Sequence, residues 1–132
     1  MLHLQHHHPV SDLSVMVHDD GRVAYAFLLR GEEIVADVWL YNHGPAPSEP
    51  EWHDPEGVPY RNPAGYASGE EFAPASSEYE VRVEWWTRGD AEGADVYVRD
   101  RLIASLEAGS RPGASALAVA DGPLARVMAA GD

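Results

Sequence analysis

From Leu13 to Asn42 apolar side chains recur at every second position, the spacing of strands that turn one face to a core. Leu13, Val15 and Val17 alternate with Ser14, Met16 and His18. Asp19-Asp20-Gly21-Arg22 follows, and Asp-Gly between alternating runs marks a tight hairpin. The run from Val23 places Val23, Tyr25, Phe27 and Leu29 on one face and Ala24, Ala26 and Leu28 on the other. Apolar residues on both faces predict a central strand, with alanines where something packs closely. After a turn at Arg30-Gly31-Glu32-Glu33, Ile34, Ala36, Val38 and Leu40 are expected to face one way and Val35, Asp37, Trp39 and Tyr41 the other. A three-strand meander is the expected first unit.

The alternation stops at His43 and resumes at Glu78. Seven of the 10 prolines fall in between (Pro45, Pro47, Pro50, Pro55, Pro59, Pro63 and Pro74), a density that central strands and helix interiors exclude. Residues 43–77 are therefore predicted to be a long Pro-rich acidic loop, with Arg61 as its one cation. Trp52, Tyr60, Tyr66 and Phe72 supply anchors that a tether lacks. The expectation is an ordered loop with Trp52 and Tyr60 on the sheet face bearing Trp39 and Tyr41. Glu49, Glu51, Asp54 and Glu56 are expected in solvent.

Beyond the loop, Tyr79, Val81, Val83 and Trp85 are expected to face inward, and Thr87–Gly93 to form a polar turn. Trp85 and Trp86 are neighbours and must split across the two faces of their strand. Ala94–Val98 and Leu102–Leu106 read as a hairpin around Arg99-Asp100-Arg101, and Ser115–Ala120 as a short strand. Asp121 as cap and Pro123 in the first turn predict a helix over Leu124–Ala130. The fold class is mainly β (or α+β): one domain over residues 1–132, an antiparallel sheet or sandwich of meander and hairpins, with a long loop, a short C-terminal helix and a flexible stretch at 1–11.

Composition narrows the function. The 132 residues are 45% hydrophobic and 23% charged, an ordinary globular balance. Acids outnumber bases 22 to 9, giving −13, which argues against a nucleic-acid backbone as partner. No cysteine means no disulfide and no thiolate nucleophile. All nine cations are arginine, so Schiff-base chemistry and a phosphate-loop lysine are excluded. Arginine without lysine, beside abundant alanine, glycine and proline, points to a GC-rich bacterial genome. The first residues lack a cationic and then apolar leader, and no run of about 18 apolar residues occurs. A cytoplasmic protein off the membrane is expected.

Candidate chemistry is sparse. His3, His6, His7 and His8 form a tract of potential metal ligands, read as a mobile terminus. His43 and His53, with Glu49, Glu51 and Asp54 nearby, offer the donors that zinc or non-haem iron takes, without a spaced motif. No cofactor is expected. No Gly-x-Ser-x-Gly elbow is present, and no catalytic residue is assigned. Asp37, mid-strand on an otherwise apolar face, is either a perturbed carboxylate or one satisfied by an arginine or tyrosine. The small, acidic, meander-plus-helix profile resembles that of bacterial toxin-neutralising immunity proteins, a likeness of character that carries no residue over. It implies a non-catalytic inhibitor of a basic protein partner such as a toxin. The candidate contact residues are Glu49, Glu51, Trp52, Asp54, Glu56, Tyr60, Trp39 and Tyr41. The alternative is a small-molecule-binding or hydrolytic domain with an aromatic-lined pocket between sheet and loop.

Overall fold

Strands β1 (Leu2–His7), β2 (Leu13–Asp19), β3 (Val23–Arg30) and β4 (Glu33–Asn42) pair antiparallel in that order in a computed structural model that describes residues 2–128. A second sheet follows the order β5 (Val81–Arg88), β6 (Ala91–Val98), β7 (Arg101–Glu107), β8 (Ala114–Ser115) and β9 (Arg126–Val127). Only β8 and β9 run parallel. One core cluster draws on both sheets, with Val15, Val17, Ala26, Leu28 and Val38 from the first and Val96, Ile103 and Leu106 from the second. Residues 43–77 between the sheets contain no strand or helix. No helix among the described residues is long and apolar enough to cross a membrane.

The meander forms where the alternation places it, with turns at Gly21 and Gly31, whose positive φ values of 89° and 60° suit glycine. Ala24, Ala26 and Leu28 on β3 are fully buried, as expected for a covered central strand. Two bulges reset β4. The first leaves Val35 between the pairs Leu28↔Ala36 and Leu29↔Ile34, and Ile34, expected on the face of Ala36 and Val38, is 40% exposed while those two are buried. The second leaves Leu40 between Tyr25↔Trp39 and Ala24↔Tyr41. Trp39 and Tyr41, expected on one face, therefore pair with successive residues of β3, whose side chains point to opposite faces.

Four further expectations are corrected. Residues 2–7 are not a flexible end but an edge strand, with Leu4 buried against the core. The predicted turn at 87–93 shrinks to Gly89-Asp90, because Thr87 and Arg88 pair with Glu92 and Ala91. Tyr79 lies in a 3₁₀ turn at Glu78–Glu80 and is 92% exposed, since β5 starts only at Val81. No helix follows Asp121 among the described residues; Arg126–Val127 pairs with β8 instead. Ala129 and Ala130 of that expected helix lie outside the described residues.

Trp85 packs against the core, whereas Trp86 lies over Gly93 on the other face and donates from Nε1 to Asp95. A Cβ at Gly93 would stand 2.5 Å from the Trp86 ring and 2.0 Å from the Leu106 carbonyl oxygen, so only glycine fits there. The outer edge of β4 is closed by later chain. Gly109 and Gly113 donate backbone N–H groups to the Val35 and Asp37 carbonyls, and Trp39 donates to the Leu124 carbonyl. An edge satisfied in this way is no longer a template for pairing with another chain.

Candidate functional site

The proline-rich segment is tied to the first sheet at several points. Asn42 donates to the Asn62 carbonyl at 2.9 Å, and the Asn62 N–H donates to Asn42 Oδ1 at 3.0 Å. The Tyr25 hydroxyl donates to the Tyr60 carbonyl at 2.6 Å. Glu51 accepts from the Arg61 backbone and guanidinium and from Arg22, which also donates to the Gly57 and Pro59 carbonyls. Those arginine contacts hold the Glu51 carboxyl below its ordinary range. Prolines lower the entropy lost when such a segment is ordered, and the side-chain ties replace the missing ladder.

The candidate contact residues divide among separate places. Trp39 and Tyr41 are buried, so neither offers a face to a large partner. They border a cavity of about 620 Å³ between β4 and the segment, which Asn42, Ser68, Glu71 and Phe72 also line. Glu51, Asp54 and Glu56 border a shallower depression of about 460 Å³ with Asp20 and Arg22. Of these, Glu51 was expected free in solvent and is instead an ion-pair anchor. Asp54 accepts the Glu56 N–H at 3.0 Å and shapes its own turn. Trp52 meets the Tyr66 ring edge-on at 5.4 Å, so its anchor is another residue of the segment. Tyr60 does reach the sheet, in a third cleft of about 210 Å³ with Tyr25, Phe27 and Asp37. Glu49 is exposed and borders none of these three hollows.

The buried carboxylate among the described residues is Asp19, expected from sequence in a turn. It is 1% exposed and accepts three hydrogen bonds: from the Gly21 N–H at 2.8 Å, the Tyr41 hydroxyl at 2.8 Å and His43 Nε2 at 2.7 Å. Tyr41 reaches it across Ala24, which pairs with both residues and is too small to block the path. The same hydroxyl accepts the Ala75 N–H at 3.2 Å. Burial first, and then Asp19, raise the Tyr41 phenol above its ordinary range. The signal for Asp19 was available: it continues the inward register Leu13, Val15, Val17 by one more step. A carboxylate-oriented imidazole is also the arrangement of a general base. Among the described residues, however, no hydroxyl nucleophile bonds to His43, and the trio acts as a tie between β2, β4 and the segment.

Asp37 stands opposite Phe27 and has Arg111 Nε at 3.3 Å. His43 and His53 do not meet, and no group of three or more candidate ligands surrounds a metal position among the described residues. Two histidines of the tract make side-chain contacts: His3 Nδ1 meets His18 Nδ1 at 3.2 Å, and His8 accepts the Val10 and Ser11 N–H groups and lies edge-on to Trp85. Comparison with protein-family models, curated proteins and solved structures finds no match for this chain.

Proposed function

We propose that this chain is a non-catalytic binding protein for a basic protein partner, in the manner of an immunity protein, with the acidic surface of residues 49–60 as its contact. One observation carries the reading: the chain's cations are committed internally, while three of the four acids on this surface are not. Seven of the nine arginines make intramolecular ion pairs. Of the others, Arg88 lies over Trp86 and Arg126 donates to Pro112 and Ser110. Glu49, Asp54 and Glu56 are exposed and make no ion pair among the described residues. They sit on a segment already pinned by Glu51, so little ordering cost remains when a partner binds. A net charge of −13 raises encounter rates with a cationic surface and selects against acidic ones.

The test replaces Glu49, Asp54 and Glu56 with Gln, Asn and Gln and measures binding to the product of the adjacent gene at several salt concentrations. Stability is expected to stay within about 0.5 kcal/mol per site, as for ordinary surface changes. Affinity should fall and lose most of its salt dependence, because screened attraction has been removed. Equal affinity and an equal salt slope in the triple variant would sink the proposal.

The 620 Å³ cavity supports a second reading, a small-molecule site, since its volume and its mixture of aromatic walls with a few polar groups match such pockets. A thermal-shift screen of metabolites checks it. Ligands that raise the melting temperature of the parent should fail with Ser68→Phe, which places a ring in the cavity.

A further inference from the structure

We propose that the cleft formed by Tyr25, Phe27 and Tyr60 beside Asp37 receives an arginine side chain of a protein partner. Register builds the site. Phe27 pairs with Asp37 on the neighbouring strand, and Tyr25, two residues earlier, lies on the same face with its ring stacked on Phe27 at 6.2 Å and 20°. Tyr60 is brought there by the bond from the Tyr25 hydroxyl to its carbonyl, and Pro59 and Pro123 complete stiff walls. At about 210 Å³ the cleft is smaller than metabolite pockets and matches the head of one long side chain.

The chemistry selects a guanidinium. It is planar and weakly hydrated, it stacks on aromatic faces, and it pairs with carboxylates. This chain itself repeats the pattern: Arg82 lies 4.1 Å from the centre of the Tyr97 ring, Arg88 4.8 Å from that of Trp86 and Arg99 5.3 Å from that of Phe72. Tyr25 and Phe27 carry no such arginine among the described residues. Asp37 is one-third exposed at its side chain, and its one ion pair among the described residues is with the half-exposed Arg111 at 3.3 Å. An incoming guanidinium exchanges one loose partner for a desolvated one. The carboxylate also bears on Tyr25, whose phenol is raised by burial and then by Asp37.

The assignment of the side chain to a protein partner rests on the basic-partner reading; the affinity of the cleft for arginine does not. The full chain is titrated with a blocked Gly-Arg-Gly peptide, the same peptide with norleucine, and free arginine, and followed by NMR shifts of the Tyr25, Phe27 and Tyr60 rings. The arginine peptide is expected to shift all three and the norleucine peptide none. Asp37→Asn and Phe27→Leu should each weaken binding by about tenfold, while Arg111→Gln strengthens it by removing the competitor. If Phe27→Leu fails to fold, Asp37→Asn carries the comparison, with its fold checked by circular dichroism. Identical shifts from norleucine, or parental affinity in folded Asp37→Asn, overturn the cleft. Tighter binding of free arginine than of the blocked peptide overturns the protein source. Arginine binding without any basic partner would end the reading above and leave the cleft standing, whereas partner binding indifferent to Asp37→Asn would do the reverse.

Discussion

Three segments converge on the carboxylate of Asp19: its own strand, the end of β4 through Tyr41 and His43, and, through the Tyr41 hydroxyl, the backbone at Ala75. Removing one partner of a buried hydrogen bond strands the other, at about 1–3 kcal/mol per group. Tyr41→Phe leaves both the Ala75 N–H and one Asp19 oxygen without that hydroxyl. We expect it to lower unfolding free energy by about that amount in a urea titration, and Asp19→Asn to cost a similar amount. His43→Gln should cost less, because that ring is part-exposed and water replaces it. An unchanged midpoint for Tyr41→Phe would mean the hydroxyl is solvated in the native state. Asp19 and Asp37 also mark how far a single residue can be read from sequence. The acid that seemed out of place, Asp37, lies on the face with Phe27, while Asp19 looked like turn chemistry because Asp20-Gly21 follows it. Pattern assigns a residue to a face, but Tyr41 and His43 reach Asp19 from 22 and 24 positions later and Arg111 reaches Asp37 from 74 later, which no local window contains.

Whole elements were more legible. Strand β2, alternating, and strand β3, apolar on both faces, form close to where the pattern puts them, because burial of those faces fixes the register. Bulges were not legible: one extra residue in β4 reverses the alternation without any glycine to mark it. The C-terminal helix failed for a similar reason. Asp121 does accept a backbone N–H, but from Val127, six residues on, where it closes a turn beside β9 rather than capping a helix. The proline-rich segment shows what replaces a ladder, and Glu51 is its main tie. Because its arginine contacts depress its pKa, Glu51 contributes stability above the ordinary value near 4.5, and this is lost as pH falls through the lower folded-state value. Acidification should therefore loosen residues 49–61 before the sheets unfold, read as faster amide exchange there. Glu51→Gln should produce the same loosening at neutral pH and abolish its acid dependence. Its global cost should stay near 1 kcal/mol or less, since the pair is partly solvated. Exchange in Glu51→Gln that still follows pH as in the parent would assign the effect elsewhere.

Across the molecule, the two sides of the first sheet end differently. On one side β1 has no backbone partner beyond β2 among the described residues; on the other, β4 is sealed by the chain from Gly109 to Leu124. Gly113 sits where that seal is tightest: a Cβ there would lie 2.6 Å from the Ser105 carbonyl oxygen and 3.1 Å from Val38 Cβ. Gly113→Ala should push the segment off β4, lower the melting temperature and produce concentration-dependent association in sedimentation; a monomer of parental stability would show that the backbone yields at no cost. The acidic surface acts at the same scale, opposing self-association by repulsion that salt weakens, so any association should grow with ionic strength. The sealed edge also has a meaning in time. A ribosome delivers β1 to β4 first, and the pieces that close β4 emerge some 70 to 80 residues later, as Gly109, Gly113 and Leu124. At a synthesis rate of about 5–20 residues per second, the nascent meander carries an open edge for roughly 4 to 16 seconds. The newborn chain is thus most exposed to chaperones, and to its neighbours on a polysome, before its last strands exist.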